Sequence, residues 1–141
     1  MTMSSAVSDR FVATILFYSS DKQVLLQDRV GISKCGEEWG FFGGAIETGE
    51  SPMQAIVREI REELSFNLTD FEFFRMFSGV LPNGQKVTAH VFLAPLPSMR
   101  LFDQKEGRAM KLFSFAQAAR LGILDMDKKI LADAAFFLNL K

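Results

Sequence analysis

Between Gly44 and Phe66 the chain reads GAIETGESPMQAIVREIREELSF, and one short amphipathic helix here must carry Glu59, Glu62 and Glu63 within roughly one quadrant of its surface. Ser51 stands where an N-cap is needed, Pro52 at the first helical position and Gln54 where a capping box closes. The helix is therefore predicted to start at Ser51 or Pro52. Met53, Ile56, Val57, Ile60 and Leu64 follow the 3.6-residue period and form the side that packs. Like charges three or four residues apart cost about 0.2–0.5 kcal/mol per pair in an isolated helix, so the acidic side calls for a cation. A divalent metal ion is the leading candidate; a solvated face paired only with Arg58 and Arg61 is the alternative.

Around this helix, apolar runs at residues 11–18 and 24–27 flank a polar turn at 19–22 and predict two strands. Residues 71–80 and 86–93 flank Pro82-Asn83-Gly84 and predict a hairpin, and residues 111–115 predict a further strand. The stretch from Trp39 to Gly44 is expected to be a loop, its Gly43-Gly44 pair allowing a sharp turn or close approach to a ligand. Residues 114–121 and 127–140 have helical spacing. Strands interleaved with two main helices predict an α/β architecture, a mixed β-sheet covered by helices. The chain's 141 residues, 48% hydrophobic with 15 Phe, suit one folded domain over residues 9–141, with residues 1–8 a loose, flexible N-terminal tail.

Lys and Arg total 16 against 17 Asp and Glu, so no global field draws the protein to nucleic acid or anionic lipid, and neither is an expected partner. The one cysteine, Cys35, forms no intramolecular disulfide and fits a reducing compartment. With no run of about 18 apolar residues and no signal-peptide pattern, the expected location is cytoplasmic, without a membrane partner.

The charged positions of the helix segment resemble the Nudix hydrolase signature: Gly44, Glu50, Arg58-Glu59, Ile60, Glu62-Glu63 and Leu64 stand at its spacing. The lead-in Trp39-Gly40-Phe41-Phe42-Gly43-Gly44 is also similar to the family's. Two departures are Ser65, where the family usually has glycine, and Phe42, where proline is common. The resemblance implies a Nudix-type α/β/α sandwich and a metal-dependent hydrolase of phosphoanhydride bonds. Its substrate would be a small-molecule nucleoside diphosphate derivative, most simply a nucleoside triphosphate in the MutT-like manner, with Mg²⁺ (or Mn²⁺) as cofactor. ADP-ribose or nucleotide-sugar cleavage is the second expectation, and a non-catalytic nucleotide-binding module a third of another class. By the same resemblance Glu59, Glu62, Glu63 and the Gly43 carbonyl would bind metal. Arg58 would orient a carboxylate, and Glu106 would be a further catalytic, metal-binding glutamate. Glu59, Glu63 and a loop carboxylate all stay open as general base, and a homodimer is compatible with the family.

Glu50, near the helix start, is expected to brace the loop or pair with Arg58. Phe41 and Phe42 are candidates for substrate stacking, as are Phe74 and Phe77. Asp127 could accept hydrogen bonds from a nucleobase, but capping the last helix is the simpler role. His90, within an apolar strand pattern, is expected to be a packed or hydrogen-bonded core residue rather than a catalytic base, and Cys35 an ordinary thiol.

Overall fold

The computed structural model describes residues 9–33, 35–105 and 109–139, so the expected tail at 1–8 and Glu106 lie outside the described residues. The strand β1 (Arg10–Tyr18) organises the sheet. It runs parallel to β6 (Lys86–Pro95) from Arg10↔Val87 to Tyr18↔Pro95. On its other side it meets β2 (Gln23–Asp28) at Tyr18↔Val24 and β4 (Phe42–Ala45) from Val12↔Ala45 to Ile15↔Phe42. The sheet order is β3 (Trp39–Gly40), β2, β1, β6 and β5 (Glu72–Val80), and β7 (Met110–Ser114) pairs with β2.

Because β1 lies inside a mixed sheet covered on both faces, its apolar run is continuous rather than alternating. Ala13, Ile15 and Phe17 join Phe42, Phe92, Ile56, Ile60 and Leu64 beneath the helix α1 (Pro52–Leu64). Leu16 joins Val91, Leu93, Ile130, Leu131 and Ala134 beneath α3 (Asp125–Asn139), the short α2 (Phe115–Ala118) packing alongside. Two apolar layers thus sandwich one sheet.

Local signals held where they were strongest. The Ser51 hydroxyl accepts the Gln54 N–H at 3.1 Å and the Gln54 side chain accepts the Ser51 N–H at 2.9 Å, closing the capping box. Three expectations need correction. The stretch 39–44 is not a loop: β3 and most of β4 form there because β2 and β1 supply their backbone partners, which a glycine-rich sequence does not advertise. The helix expected over 114–121 is a single turn, since the chain leaves it at Ala119. The last helix begins at Asp125, so Asp127 lies inside its first turn, only 8% exposed, and is not its cap.

Ser65 ends α1 in the left-handed conformation, at φ 52° and ψ 34°, its N–H donating to the Arg61 carbonyl at 3.0 Å. The geometry glycine prefers is kept without glycine, at a steric cost. Ser65→Gly is expected to raise the free energy of unfolding by about 0.5–1 kcal/mol, read from urea denaturation; an equal or lower midpoint would show that the serine is not strained.

Candidate active site

Arg58 is the hub of the acidic helix. Its guanidinium grips Glu50 with two hydrogen bonds, Nε to Oε2 at 2.6 Å and Nη2 to Oε1 at 3.0 Å. Nη1 donates to Glu59 at 2.8 Å and to Glu62, one turn on, at 3.1 Å. Nη2 also reaches the Ala45 carbonyl at the end of β4, at 3.0 Å. One half-buried cation thereby ties helix, loop and strand together and offsets the repulsion among the carboxylates. The Arg58 hydrogen bonds hold the Glu50 carboxyl below the usual carboxylate range, and Glu50 in turn pushes Arg58 further toward its charged form. Glu50 is therefore the brace expected from its position.

Glu63 is buried at 8% exposure, and its Oε1 accepts the Gly43 N–H at 3.2 Å. Glu59 lies against Gly44, where an added Cβ would stand 2.5 Å from the carboxylate. Gly43 is equally constrained: its φ is +141°, and a Cβ would meet the Ala13 carbonyl oxygen at 2.1 Å. The glycine pair thus lets β4 press between β1 and the acidic helix. Glu62 is the exposed member, with 59% of its side chain accessible.

Among the described residues, no three His, Cys, Asp or Glu side chains converge as ligands of one ion: Glu59 and Glu62 turn to Arg58, and Glu63 to the Gly43 amide. The donor set itself fits Mg²⁺ or Mn²⁺, since hard cations prefer clustered carboxylate oxygens beside backbone carbonyls.

On the α3 face of the sheet a cleft of about 140 Å³ starts at Gly43 and Gly44 and runs between Thr14, Phe41, Arg29 and Asp127. Two outer compartments, of about 450 Å³ and 110 Å³, share Glu37, Leu81 and Leu124 with it as walls. Asp127 thus reaches the cleft rather than the helix cap, and its carboxyl is pushed up to about 7, first by burial and then by the nearby Glu37 charge, with Arg29 pulling the other way. Phe41 is 7% exposed and its residue lines the cleft. The Phe42 ring is packed in the core under α1, 1% exposed, which corrects its candidacy for stacking. Phe77 is buried and Phe74 packs on Phe137 beside α3. His90 sits in β6 opposite Met76 with its Nδ1 buried and unbonded among the described residues, a packed residue as expected. Cys35 is a free, half-buried thiol at the rim of both outer compartments.

Sequence spacing gave no hint of Arg29 and Glu37. They meet across a turn-rich stretch, Nε to Oε2 at 3.1 Å, and the Arg29 stem crosses Gly40 so closely that a Cβ there would stand 2.7 Å from its Cδ. Gly40 marks that close approach only once β3 is known to be a strand, so the sequence carried no usable signal for the pair.

Residues 9–134 match the family model described as NUDIX domain. The chain is 43% identical over 53 residues to the CTP pyrophosphohydrolase of Escherichia coli K12, covering 38% of this chain and 39% of the relative. It is 28% identical over 72 residues to the 8-oxo-dGTP diphosphatase of the same organism, covering 51% of this chain and 56% of that one. The chain therefore spans well under two thirds of either relative. The crystal structure of the MutT protein from Methanosarcina mazei Go1 superposes with a TM-score of 0.78 at 19% identity, covering 98% of this chain and 100% of that chain, a likeness of fold.

Two outcomes follow from the packing described. Gly43→Ala should destabilise the fold by more than about 2 kcal/mol, because the clash is with β1 backbone and the φ is unfavourable for any side chain; a near-native urea midpoint would contradict the tight β4–β1 approach. Asp127 holds its proton to about pH 7 when folded but only to its ordinary 3.8 when unfolded. Between these values the folded chain binds more protons, so this group's contribution to stability is full below about pH 4 and is lost as pH rises through 7, by about 1.4 kcal/mol per unit. Thermal melts of Asp127→Asn against wild type should gain on wild type across that window, and parallel curves would refute the burial of an unpaired carboxyl.

Proposed function

The chain belongs to the NUDIX domain family, and from that premise we propose that it is a metal-dependent pyrophosphohydrolase converting nucleoside triphosphates to a nucleoside monophosphate and pyrophosphate. The observation that carries this reading is the cluster of Glu59 and Glu62 on Arg58 and Glu63 on the Gly43 amide, with Gly43 and Gly44 between it and a cleft whose wall holds Asp127. The similarity to relatives named for CTP and 8-oxo-dGTP supports a nucleotide of this kind.

In the reaction a water oxygen attacks phosphorus, the bridging P–O bond breaks, and the leaving phosphate takes the electron pair. Bound at the carboxylates, Mg²⁺ or Mn²⁺ would neutralise the phosphate oxygens and lower the pKa of a water. Glu59, Glu62 and Glu63 supply the negative oxygens, and Glu106, outside the described residues, is proposed to add a fourth. Arg58 acts as a positioning residue, because its hydrogen bonds to Glu50 and Ala45 hold it while it orients Glu59 and Glu62. Glu63, buried and hydrogen-bonded to Gly43, ties β4 to the helix and is a candidate for accepting the proton of the attacking water. In the cleft, Asp127 near its midpoint at neutral pH offers a nucleobase either a donor or an acceptor, and Phe41 bounds the same space.

A second reading, ADP-ribose or nucleotide-sugar cleavage, is favoured by one observation: Pro82 and its hairpin line the 450 Å³ compartment, where a second moiety would fit. No helix among the described residues is long and apolar enough to cross a membrane, and a cytoplasmic enzyme acting on small nucleotides without a nucleic-acid partner is the corresponding proposal.

A screen of deoxynucleoside triphosphates, 8-oxo-dGTP, CTP, ADP-ribose and nucleotide sugars with Mg²⁺ should give pyrophosphate release from one or more triphosphates, whereas products from ADP-ribose alone would select the second reading. Glu62→Gln and Glu63→Gln should each lower turnover at least about tenfold; near wild-type rates would remove the carboxylates from the chemistry.

A further inference from the structure

The smaller outer compartment holds a charge that neither the fold nor the proposed reaction uses. Its walls are Arg10, Arg29, Cys35, Glu37, Asn83 and Gln85 with two leucines, and Arg10 also lines the central cleft. Arg29 is engaged by Glu37, whose other oxygen accepts the Cys35 N–H at 3.3 Å. Arg10 is half-buried, its backbone held in β1 beside Val87, and its guanidinium makes no hydrogen bond or ion pair with any described residue. A guanidinium set in a cleft wall beside a buried carboxylate, yet joined to no described side chain, presents positive charge toward whatever enters. Arg29 neutralises Glu37, so the balance of the three charges is one positive.

Volume and position restrict what that charge would hold. At about 110 Å³ the compartment has room for roughly four waters, too little for a second nucleoside and suited to one tetrahedral oxyanion. Arg10 opens β1, and Thr14, the residue opposite Gly43, lies four residues on, about 13 Å along the strand. An anion at Arg10 is therefore remote from a diphosphate lying at Glu59, Glu62 and Glu63. Guanidinium groups pair phosphate oxygens with two donors at once, a geometry that favours phosphate over a single neutral acceptor.

We propose that this compartment is a phosphate subsite, in which Arg10, with Arg29 beside it, holds a phosphate carried on the sugar of the nucleotide, on the side away from the linkage that is cleaved. The substrate class it selects is the nucleoside 5′-triphosphate bearing a further 3′-phosphate. The assignment rests on the reading of the cleft as a nucleotide site, and it deepens that reading by naming which nucleotide is preferred.

The test is isothermal titration calorimetry in EDTA, with no metal and no turnover, using a deoxynucleoside 5′-triphosphate and its 3′-phosphorylated counterpart. Wild type should bind the 3′-phosphorylated nucleotide about tenfold more tightly, the scale of one charge-assisted hydrogen-bonded pair. In Arg10→Gln, checked as folded by circular dichroism, the ratio should fall to near one, and Arg10→Lys should restore part of it. Equal binding of the two nucleotides by wild type overturns the proposal, as does an undiminished ratio in Arg10→Gln. A wild-type protein that keeps the ratio but hydrolyses no nucleotide with Mg²⁺ supports the subsite while refuting the hydrolase reading.

Discussion

The acidic helix depends on one arginine. Three carboxylates in one quadrant of α1, with Glu50 ahead of them, would repel one another, and the Arg58 guanidinium lies among them with bonds to Glu50, Glu59, Glu62 and the end of β4. Because Arg58 reaches the Ala45 carbonyl as well, it fixes more than charge: the helix is held at a set distance from the strand that leads into it. A guanidinium suits this task because its fixed fork of donors can satisfy several acceptors at once, which a lysine ammonium cannot do in the same plane.

The second constraint is the approach of β4 to β1. Gly43 sits where any side chain would run into the Ala13 carbonyl, and Gly44 where one would displace the Glu59 carboxylate. This closeness sets the acidic helix on one face of the sheet and the cleft with Asp127 on the other, with Gly43 and Gly44 belonging to both. A nucleotide whose base and sugar occupy the cleft would thus lead its phosphates past the glycines toward the carboxylates. The same β1 strand supplies Thr14 at the glycine end and Arg10 at the far end, so one extended segment spans the length of the proposed site.

How much of this was legible in the sequence follows from the range of each interaction. The α1 boundaries, its apolar stripe except for Met53, which is 55% exposed at the first turn, and the Arg58–Glu50 pair were readable, because caps, periodicity and motif spacing are encoded within a few residues of one another. The mixed sheet covered by helices followed from the alternation of runs. The strands at 39–45 were not readable, since glycine has no strand preference and the pairing comes from β1 and β2, distant in sequence. Asp127 was read as a cap because aspartate before an apolar run usually is one; the helix starts two residues earlier, and packing against the sheet turns that side chain inward. Arg29 and Glu37 meet only after the turn between them folds, so no local pattern announces them. Ser65 shows the reverse case, where the departure from glycine was visible and the backbone nevertheless took the left-handed turn.

The proposed function requires that the carboxylates held by Arg58 and the Gly43 amide, and no other part of the molecule, receive the metal and the phosphates. Its most direct test is a crystal structure with Mn²⁺ and a non-hydrolysable nucleotide, the metal located by anomalous scattering. Manganese is expected at the Glu59, Glu62 and Glu63 oxygens beside Gly43, with the Arg58–Glu50 pair intact and the nucleoside in the cleft by Asp127. Manganese bound elsewhere, or a nucleotide seated away from that helix, would contradict it.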